Sequence, residues 1–232
     1  MSFTDKTLVV TGGTGALGTA VISTLIGQGA RCIVPYRGEA EAARFAHRDS
    51  GNVTLVAAGD LADEAVVAKV YDGLKLWGSI HLAGGFAMGK IEDTDKTALM
   101  KQVDGNLVSC FLCCRAAVKA IKAAGGGGRI VNVAARPALE PRTGAGMTAY
   151  TIAKSGVAAL SAALAEEVAK DGILVNAVAP SIMDTAANRE AMPKADFAKW
   201  PKVEEVAATI LHLASPANTV ARGGVVPVYG RS

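Results

Sequence analysis

The sequence predicts an α/β fold in which helices cover both faces of a mainly parallel, doubly wound sheet of seven strands. Short apolar runs alternate with helical segments along nearly all of the 232 residues, a glycine-rich turn follows the first run, and no linker rich in Pro, Ser or charge divides the chain. Strand–helix–strand repeats need crossover connections, and crossovers build parallel sheets that are covered on both faces. Residues 1–232 are therefore expected to form a single domain.

The predicted strands are apolar runs rich in Val, Ile and Leu, at 8–11, 31–36, 53–57, 80–83, 130–133, 174–178 and 225–228. Such continuous runs are typical of strands that are buried on both faces. Apolar residues at three- and four-residue spacing predict helices over 17–28, 64–76, 99–124 and 150–169. Because open α/β sheets bind ligands beyond the carboxyl ends of their strands, function is expected in the loops that follow each strand.

Composition narrows the classes of function. Half of the residues are apolar and 19% are charged, which excludes a mainly disordered chain. The net charge of 24 − 21 = +3 is too small to indicate binding to nucleic acid or to an anionic membrane. No apolar stretch reaches the ~18 residues of a membrane span, and Asp5 and Lys6 interrupt any N-terminal signal sequence.

The four cysteines do not form the framework of a disulfide-rich domain. Three of them cluster at Cys110, Cys113 and Cys114, within one predicted helix. Small buried cysteines are typical of a reducing compartment, so a cytoplasmic protein is expected. Cys113 and Cys114 point to different sides of the helix and no partner His is expected nearby, so no metal site is predicted.

The turn Thr11-Gly12-Gly13-Thr14-Gly15-Ala16-Leu17-Gly18 joins the first predicted strand to a helix. Gly12 can adopt backbone angles that a Cβ forbids, Gly15 leaves room for a pyrophosphate, and Gly18 lets the helix lie close to the sheet. Phosphate oxygens would then meet the free N–H groups at the helix N-terminus. The turn predicts a dinucleotide site that includes Gly12, Thr14, Gly15, Ala16 and Leu17; the alternative is a tight connection without a ligand.

The end of the second predicted strand bears on the choice of nicotinamide cofactor. Its last residues, Val34-Pro35-Tyr36-Arg37, include no carboxylate for the adenosine ribose, and the next one along the chain is Glu39. A guanidinium at Arg37 suits a 2′-phosphate, so NADP(H) is favoured over NAD(H); alternatively, Arg37 is a solvated surface charge. After the third strand, Asp60 and Leu61 are candidates for contacting adenine, although Asp60 would equally suit the cap of the next helix.

Tyr150 and Lys154 lie four residues apart at the start of a predicted helix, and therefore on one face of it. A nearby ammonium stabilises a phenolate and so is expected to lower the pKa of the phenol. Such a phenol can donate a proton to a carbonyl oxygen as hydride arrives, or take one in the reverse reaction. Alone, this spacing is most often a chance pair on a surface; combined with the glycine turn upstream, the pair predicts an oxidoreductase with Tyr150 as its acid and base.

The motifs TGGTGALG at 11–18, AGG at 83–85, Asn106, YTIAK at 150–154 and VNAVAP at 175–180 resemble the short-chain dehydrogenase/reductase family along essentially the whole chain. The resemblance implies one Rossmann-type domain, a nicotinamide cofactor, a small-molecule substrate, and a homodimer or homotetramer built on the long helices. It implies Tyr150 as the catalytic acid and base, Lys154 as the residue that holds the nicotinamide ribose, and Asn106 as the carrier of a proton-relay water. The further cofactor contacts that it implies are Ala83, Gly84, Gly85, Pro180, Ile182 and Thr185.

The departures from the family pattern are informative. Ala16 replaces a glycine, and His81-Leu82-Ala83-Gly84 stands where NNAG is usual. The fifth strand normally leads to a serine that hydrogen-bonds the substrate carbonyl, whereas here it leads to Ala135. Thr148 could supply the missing hydroxyl, or the substrate does not need it. The absent serine, the turn and the segment 183–200 resemble the dihydropteridine reductase-like subgroup, whose substrate is a conjugated imine.

Two functions follow from these features. The first is an NAD(P)H-dependent reductase of a conjugated imine or a carbonyl, and the second is a nucleotide-binding sensor or scaffold that has weakened catalysis because it lacks the serine. Phe86, Met88 and Trp200 could line a flat substrate slot, or could pack beneath a lid.

Overall fold

The computed structural model of the protein describes residues 2–232, which is all of the predicted domain except residue 1. Seven strands form one sheet in the order β3-β2-β1-β4-β5-β6-β7, and all six pairings are parallel. The strands are β1 (Thr7–Thr11), β2 (Arg31–Tyr36), β3 (Val53–Ala57), β4 (Gly78–His81), β5 (Arg129–Val133), β6 (Leu174–Pro180) and β7 (Val225–Val228). The predicted fold class is confirmed, and the sheet is parallel throughout rather than mainly so.

One strand boundary was predicted two residues late. β4 pairs with β1 only as far as His81, which lies opposite Thr11 at the end of β1. Beyond that pair, Leu82 N–H donates to the Thr11 carbonyl and Ala83 N–H to the Thr11 hydroxyl, at 3.1 and 3.3 Å. Ala83 therefore belongs to the loop that crosses the end of β1 and not to the strand.

Nine α-helices connect and cover the strands within residues 2–232: α1 (Ala16–Gly27), α2 (Glu39–Ala43), α3 (Glu64–Tyr71), α4 (Lys96–Val103), α5 (Ser109–Ala123), α6 (Arg136–Leu139), α7 (Thr148–Glu167), α8 (Ala186–Ala191) and α9 (Val203–Ala214). The helix predicted over 99–124 is α4 and α5 joined by a π-helical turn, Asp104–Val108. π-Turns are rare and are frequent at functional sites, and this one contains Asn106.

Alternate residues of each strand face opposite layers of helices. In β1, Val9 packs with α3, α5 and α7, whereas Leu8 and Val10 pack with α1 and α9. Both sets are fully buried, and each such side chain contributes about 1.5–3 kcal/mol to the free energy of unfolding. This two-sided burial explains why the strand sequences are continuous apolar runs.

The strand order reverses at β1, which has β2 on one side and β4 on the other. The loops after β1 and β4 therefore diverge at their carboxyl ends and leave a crevice, which is the usual ligand site of such sheets. No helix within residues 2–232 is both long and apolar enough to cross a membrane. The cytoplasmic location stays a prediction.

Candidate active site

The glycine turn closes against the loop that follows β4. Gly12 has a φ of +66°, and a Cβ there would lie 2.7 Å from the Ala83 nitrogen. A Cβ on Gly18 would overlap the Gly12 carbonyl oxygen, so that glycine is needed for packing of α1 against the turn. At Gly15 the nearest atom would be 3.4 Å away. Gly12 and Gly18 thus bring chain segments together, while Gly15 leaves open space.

The N-terminus of α1 is open to an anion. Gly15 is its N-cap and no side chain of the described chain caps it, so its first N–H groups have no side-chain acceptor. Ala16 is exposed at the start of α1, whereas Leu17 is buried beneath it. This geometry fits the diphosphate of a dinucleotide.

A cleft of about 210 Å³ lies at the carboxyl ends of β1, β2 and β3. Six of the predicted cofactor residues line it: Gly12, Arg37, Asp60, Leu61, Ala83 and Gly84. Its other lining residues were not predicted, because no local motif marks them; they include Tyr36, Glu41, Gly59, Gly105 and Ser109. A larger groove of about 380 Å³ lies between α3 and α5 and contains no predicted site residue, so the smaller cleft is the candidate site.

The end of β2 carries both expected and unexpected charges. Arg37 is exposed and no salt bridge involves its guanidinium within residues 2–232. Glu39, the first carboxylate after the strand, accepts from the Tyr36 hydroxyl at 3.0 Å. Glu41, two residues further along α2, accepts from the Arg37 N–H at 3.1 Å and from the Thr14 hydroxyl. The position of this carboxylate in the cleft was not predicted, because it depends on how α2 packs.

Asp60 does not cap the next helix. Its Oδ1 accepts from Ala62 N–H at 3.0 Å, whereas Asp63 is the N-cap of α3 and accepts from Ala65 N–H at 2.7 Å. The capping alternative for Asp60 is therefore wrong. Asp60 lines the cleft beside Leu61, so the predicted adenine contact stays open to test.

The Asn106 side chain makes two hydrogen bonds to the loop after β4. Its amide nitrogen donates to the Gly85 carbonyl at 3.0 Å, and its oxygen accepts from the Gly85 N–H at 3.2 Å. A Cβ on Gly84 would lie 2.5 Å from that same oxygen and 3.5 Å from Lys154 Nζ. Asn106, Gly84 and Lys154 are thus brought together, as the resemblance implies.

Tyr150 and Lys154 share one face of α7. The ammonium lies 5.9 Å from the centre of the phenol ring and donates to the carbonyl oxygen of Val133, the last residue of β5, across 2.7 Å. Lys154 is buried, whereas Tyr150 is partly buried and meets the Phe86 ring edge-on at 5.1 Å. The pair lies next to the loops after β4 and β5.

The pKa of the phenol moves in the direction opposite to the expected one. Burial raises the pKa of Tyr150 to about 12, and burial also lowers the pKa of Lys154 to about 8. The pKa of the phenol is raised because burial disfavours its anion. The Lys154 ammonium donates its hydrogen bond to the Val133 carbonyl oxygen. The predicted lowering of the Tyr150 pKa is therefore wrong.

Ala135 begins α6 as its N-cap and is buried. Its methyl group offers no hydrogen bond, as the sequence indicated. Thr148 is the first residue of α7 and is exposed. That Thr148 supplies the absent hydroxyl stays a prediction.

The loop after β6 leads directly into α8. Thr185 is the N-cap of α8 and accepts from Asn188 N–H at 3.2 Å. The Asp184 carboxylate pairs with Arg189 at 2.6 and 2.8 Å. Pro180 ends β6 and is buried, whereas Ile182 is exposed. Their cofactor contacts stay predictions.

The three proposed slot residues separate into two groups. Phe86 and Met88 are 59% and 68% exposed, so they are available to a substrate. Trp200 is buried and packs on Phe197 with ring centres 5.0 Å apart. For Trp200 the packing interpretation holds.

A buried polar network lies behind the candidate site. His81 Nδ1 contacts Asn132 Oδ1 at 2.8 Å, and Asn132 donates to the Ser161 hydroxyl at 2.8 Å. Cys110 and Cys114 lie beside His81, with the three ligand atoms within 4.8 Å of one another. The prediction that no His lies near the cysteines is therefore wrong, because the packing of α5 against β4 brings His81 next to them. The Asn132 oxygen can only accept, so His81 Nδ1 carries the proton and has no lone pair for a metal.

Comparison with known proteins is consistent with this geometry. A model of the short chain dehydrogenases matches residues 6–196. The chain belongs to the short-chain dehydrogenase/reductase family. It is 32% identical to galactitol 2-dehydrogenase of Rhizobium johnstonii, over 95% of this chain and 92% of that protein. It is 33% identical to cis-4-hydroxycyclohexanecarboxylate dehydrogenase of Sinomonas cyclohexanicum, over 99% and 97%.

A solved short-chain dehydrogenase/reductase from Mycobacterium ulcerans has the same fold, with a TM-score of 0.91 and 26% identity over 100% of this chain and 90% of that one. As a short-chain dehydrogenase/reductase, the protein is an oxidoreductase that depends on a nicotinamide dinucleotide. The dihydropteridine reductase-like subgroup stays a prediction.

Proposed function

We propose that this short-chain dehydrogenase/reductase works as a reductase of a carbonyl or a conjugated imine, with Tyr150 as the proton donor. The observation that carries the proposal is the convergence of Tyr150, Lys154 and Asn106 around the ends of β4 and β5, next to the cleft that Gly12 and Gly84 line. Bound there, the reduced nicotinamide would supply the hydride, and the chain would supply the proton and the alignment.

The protonation states suit Tyr150 as the proton donor in a reduction. With a pKa near 12, Tyr150 carries its proton at neutral pH and can give it to a substrate oxygen or nitrogen. With a pKa near 8, Lys154 is mainly charged at pH 7 and can stabilise the phenolate that is left.

For the cofactor we propose NADP(H) over NAD(H). The exposed guanidinium of Arg37 at the rim of the cleft, with no salt bridge inside residues 2–232, supports the choice, because such a group matches a phosphate in charge and geometry. The proposed contacts of the diphosphate are the open α1 N-terminus and the turn residues Thr14 and Gly15. Arg37→Ala is expected to lower affinity for NADPH more than for NADH.

Two substrate classes remain, each with an observation in its favour. The galactitol and cis-4-hydroxycyclohexanecarboxylate relatives are named for alcohols, which favours a carbonyl–alcohol pair. The methyl group of Ala135 favours a substrate that needs no hydroxyl donor, such as the conjugated imine of a quinonoid dihydropterin. The exposed ring of Phe86, which meets Tyr150 edge-on, offers an aromatic contact to either.

Ala135 also favours a second candidate function, a nucleotide-binding sensor or scaffold. Losing one donor to a developing oxyanion typically costs about 10²–10³ in rate, so a carbonyl enzyme without it would be weak. This candidate requires cofactor binding without turnover. The sensor hypothesis does not explain why Lys154 is buried one helical turn from Tyr150 and hydrogen-bonded to Val133.

The test is absorbance at 340 nm with NADPH or NADH and three substrates: a quinonoid dihydropterin, a quinone and a β-ketoacyl thioester. Turnover that falls about 10²-fold or more in Tyr150→Phe, with unchanged cofactor affinity and melting temperature, supports the reductase. Cofactor binding with no turnover on a wider carbonyl, imine and alcohol panel would favour the sensor. Turnover that Tyr150→Phe leaves intact would refute the proton-donor role.

We also propose that the protein assembles as a homodimer or homotetramer through α5 and α7. Phe111 on α5 and Ile152 on α7 are about half exposed, which is unusual for large apolar side chains on helices that contact each other. Light scattering is expected to give two or four copies, and a monomer in Phe111→Glu.

A further inference from the structure

Glu41 bridges two parts of the candidate nucleotide site. It lies on α2, three residues after Gly38, and its carboxylate lines the cleft that Gly12 and Asp60 also line. One oxygen accepts from the backbone N–H of Arg37 at 3.1 Å, and the other accepts from the hydroxyl of Thr14. The carboxylate therefore joins the end of β2 to the glycine turn after β1.

These two donors form a small anion site, and Glu41 fills it from within the chain. A backbone N–H and a hydroxyl that point at one spot suit a carboxylate or a phosphate oxygen equally well. An incoming phosphate group would have to displace Glu41 from these donors and would meet its charge. An unphosphorylated ribose brings hydroxyl donors, which a carboxylate accepts.

Arg37 and Glu41 therefore oppose each other in charge at the same end of the cleft. They are linked through the Arg37 backbone, while no salt bridge joins their side chains in the described part of the chain. The guanidinium is exposed and attracts a phosphate, whereas the carboxylate is partly buried and repels it. Burial strengthens the influence of Glu41, because a partly buried charge is less screened by solvent and salt.

We propose that Glu41 is a specificity-determining residue: its carboxylate favours the unphosphorylated adenosine ribose of NAD(H) and limits the preference for NADP(H) that Arg37 provides. This inference rests on the proposed function, since it concerns the adenosine end of the same nucleotide site. It makes the cofactor preference of this chain a balance between two side chains.

The test uses nucleotide fragments, so that it does not depend on finding the substrate. Calorimetric titration compares adenosine 2′,5′-bisphosphate with 5′-ADP on the full-length protein. Glu41→Gln keeps the shape and an acceptor oxygen but removes the charge. It is expected to raise the affinity ratio of bisphosphate to ADP about tenfold or more, because a repelling charge near a phosphate is removed.

Glu39→Gln is the matched control, because Glu39 is on the same helix but bonds to Tyr36 and does not line the cleft. It is expected to change the ratio less than twofold. Arg37→Ala is expected to lower the ratio, and the double variant Arg37→Ala with Glu41→Gln to return it towards wild type.

Equal ratios, within twofold, for wild type and Glu41→Gln would overturn the proposal and leave Glu41 as a structural link between α2 and the glycine turn. An equally large change of the affinity ratio in Glu39→Gln would also overturn the proposal. The effect would then come from the loss of any negative charge on α2 and not from the position of Glu41. Failure of the wild type to bind NADH, NADPH and both fragments would instead count against the proposed function itself.

Discussion

Lys154 donates to the Val133 carbonyl oxygen across 2.7 Å and thereby fixes the second turn of α7 to the end of β5. The ammonium is buried and bonds to a neutral acceptor, so its charge is costly and its pKa falls to about 8. Tyr150, one turn away, has a pKa of about 12 and keeps its proton. Deprotonation of the lysine is therefore the first change in this pair as pH rises.

The rate of reduction is expected to fall as pH passes about 8. Below that pH Lys154 is charged and Tyr150 is protonated, which is the competent form; above it the ammonium loses its proton while the phenol does not. The kcat/KM for reduction, measured from pH 6 to 10 at constant ionic strength, reports the pKa values of the free enzyme. A kcat/KM that increases between pH 7 and 10 would contradict this assignment and indicate that the phenolate is the active form.

Gly84→Ala is expected to disturb both Asn106 and the stability of the fold. The new Cβ would lie 2.5 Å from the Asn106 oxygen, and overpacking of this kind costs about 1–3 kcal/mol in the free energy of unfolding. At Gly85, where a Cβ would meet nothing within 4 Å, alanine is expected to cost less than about 0.5 kcal/mol. Urea unfolding of the two variants gives the comparison, and equal losses of stability would refute it.

Ala135→Ser distinguishes the two substrate classes. A hydroxyl at this position could polarise a carbonyl, and one such donor is typically worth about 10²–10³ in rate. We expect a gain of at least about tenfold if the substrate is a ketone and no gain if it is a conjugated imine.

Ala134→Ser is the control for that experiment. Ala134 is fully buried at the preceding position, so a hydroxyl there is expected to destabilise the fold and to leave the rate on a ketone without a gain. A rate increase in Ala134→Ser equal to that in Ala135→Ser would show that the effect does not come from the position of the serine.

Asn132→Ala is expected to be strongly destabilising. The side chain links His81 on β4 to Ser161 on α7, and its removal leaves both partners buried without it. An unsatisfied buried polar group costs about 1–3 kcal/mol, so the expected total is about 2–5 kcal/mol in the free energy of unfolding. Asn52→Ala, at an exposed position, should cost less than about 0.5 kcal/mol. A loss below 1 kcal/mol at Asn132 would mean that water or a rearranged network replaces the amide.

The fold could be predicted from the sequence because its determinants are local. Two-sided burial produces continuous apolar strands, amphipathic spacing produces helices, and Gly12 marks a turn that needs a positive φ. Tyr150 and Lys154 could be paired in advance for the same reason, since a spacing of four residues puts two side chains on one face of any helix.

What only the tertiary structure decided is how groups distant in sequence meet and how much water they lose. The packing of α2 brings Glu41 to Thr14, and the packing of α5 against β4 brings Cys110 to His81, neither of which a local pattern encodes. The pKa of Tyr150 depends on burial by the surrounding segments, so its direction could not be predicted from the nearby lysine alone. The spacing of two residues along a helix is a property of the sequence. The loss of water around a side chain, and contacts between segments that are distant in sequence, exist only in the folded molecule.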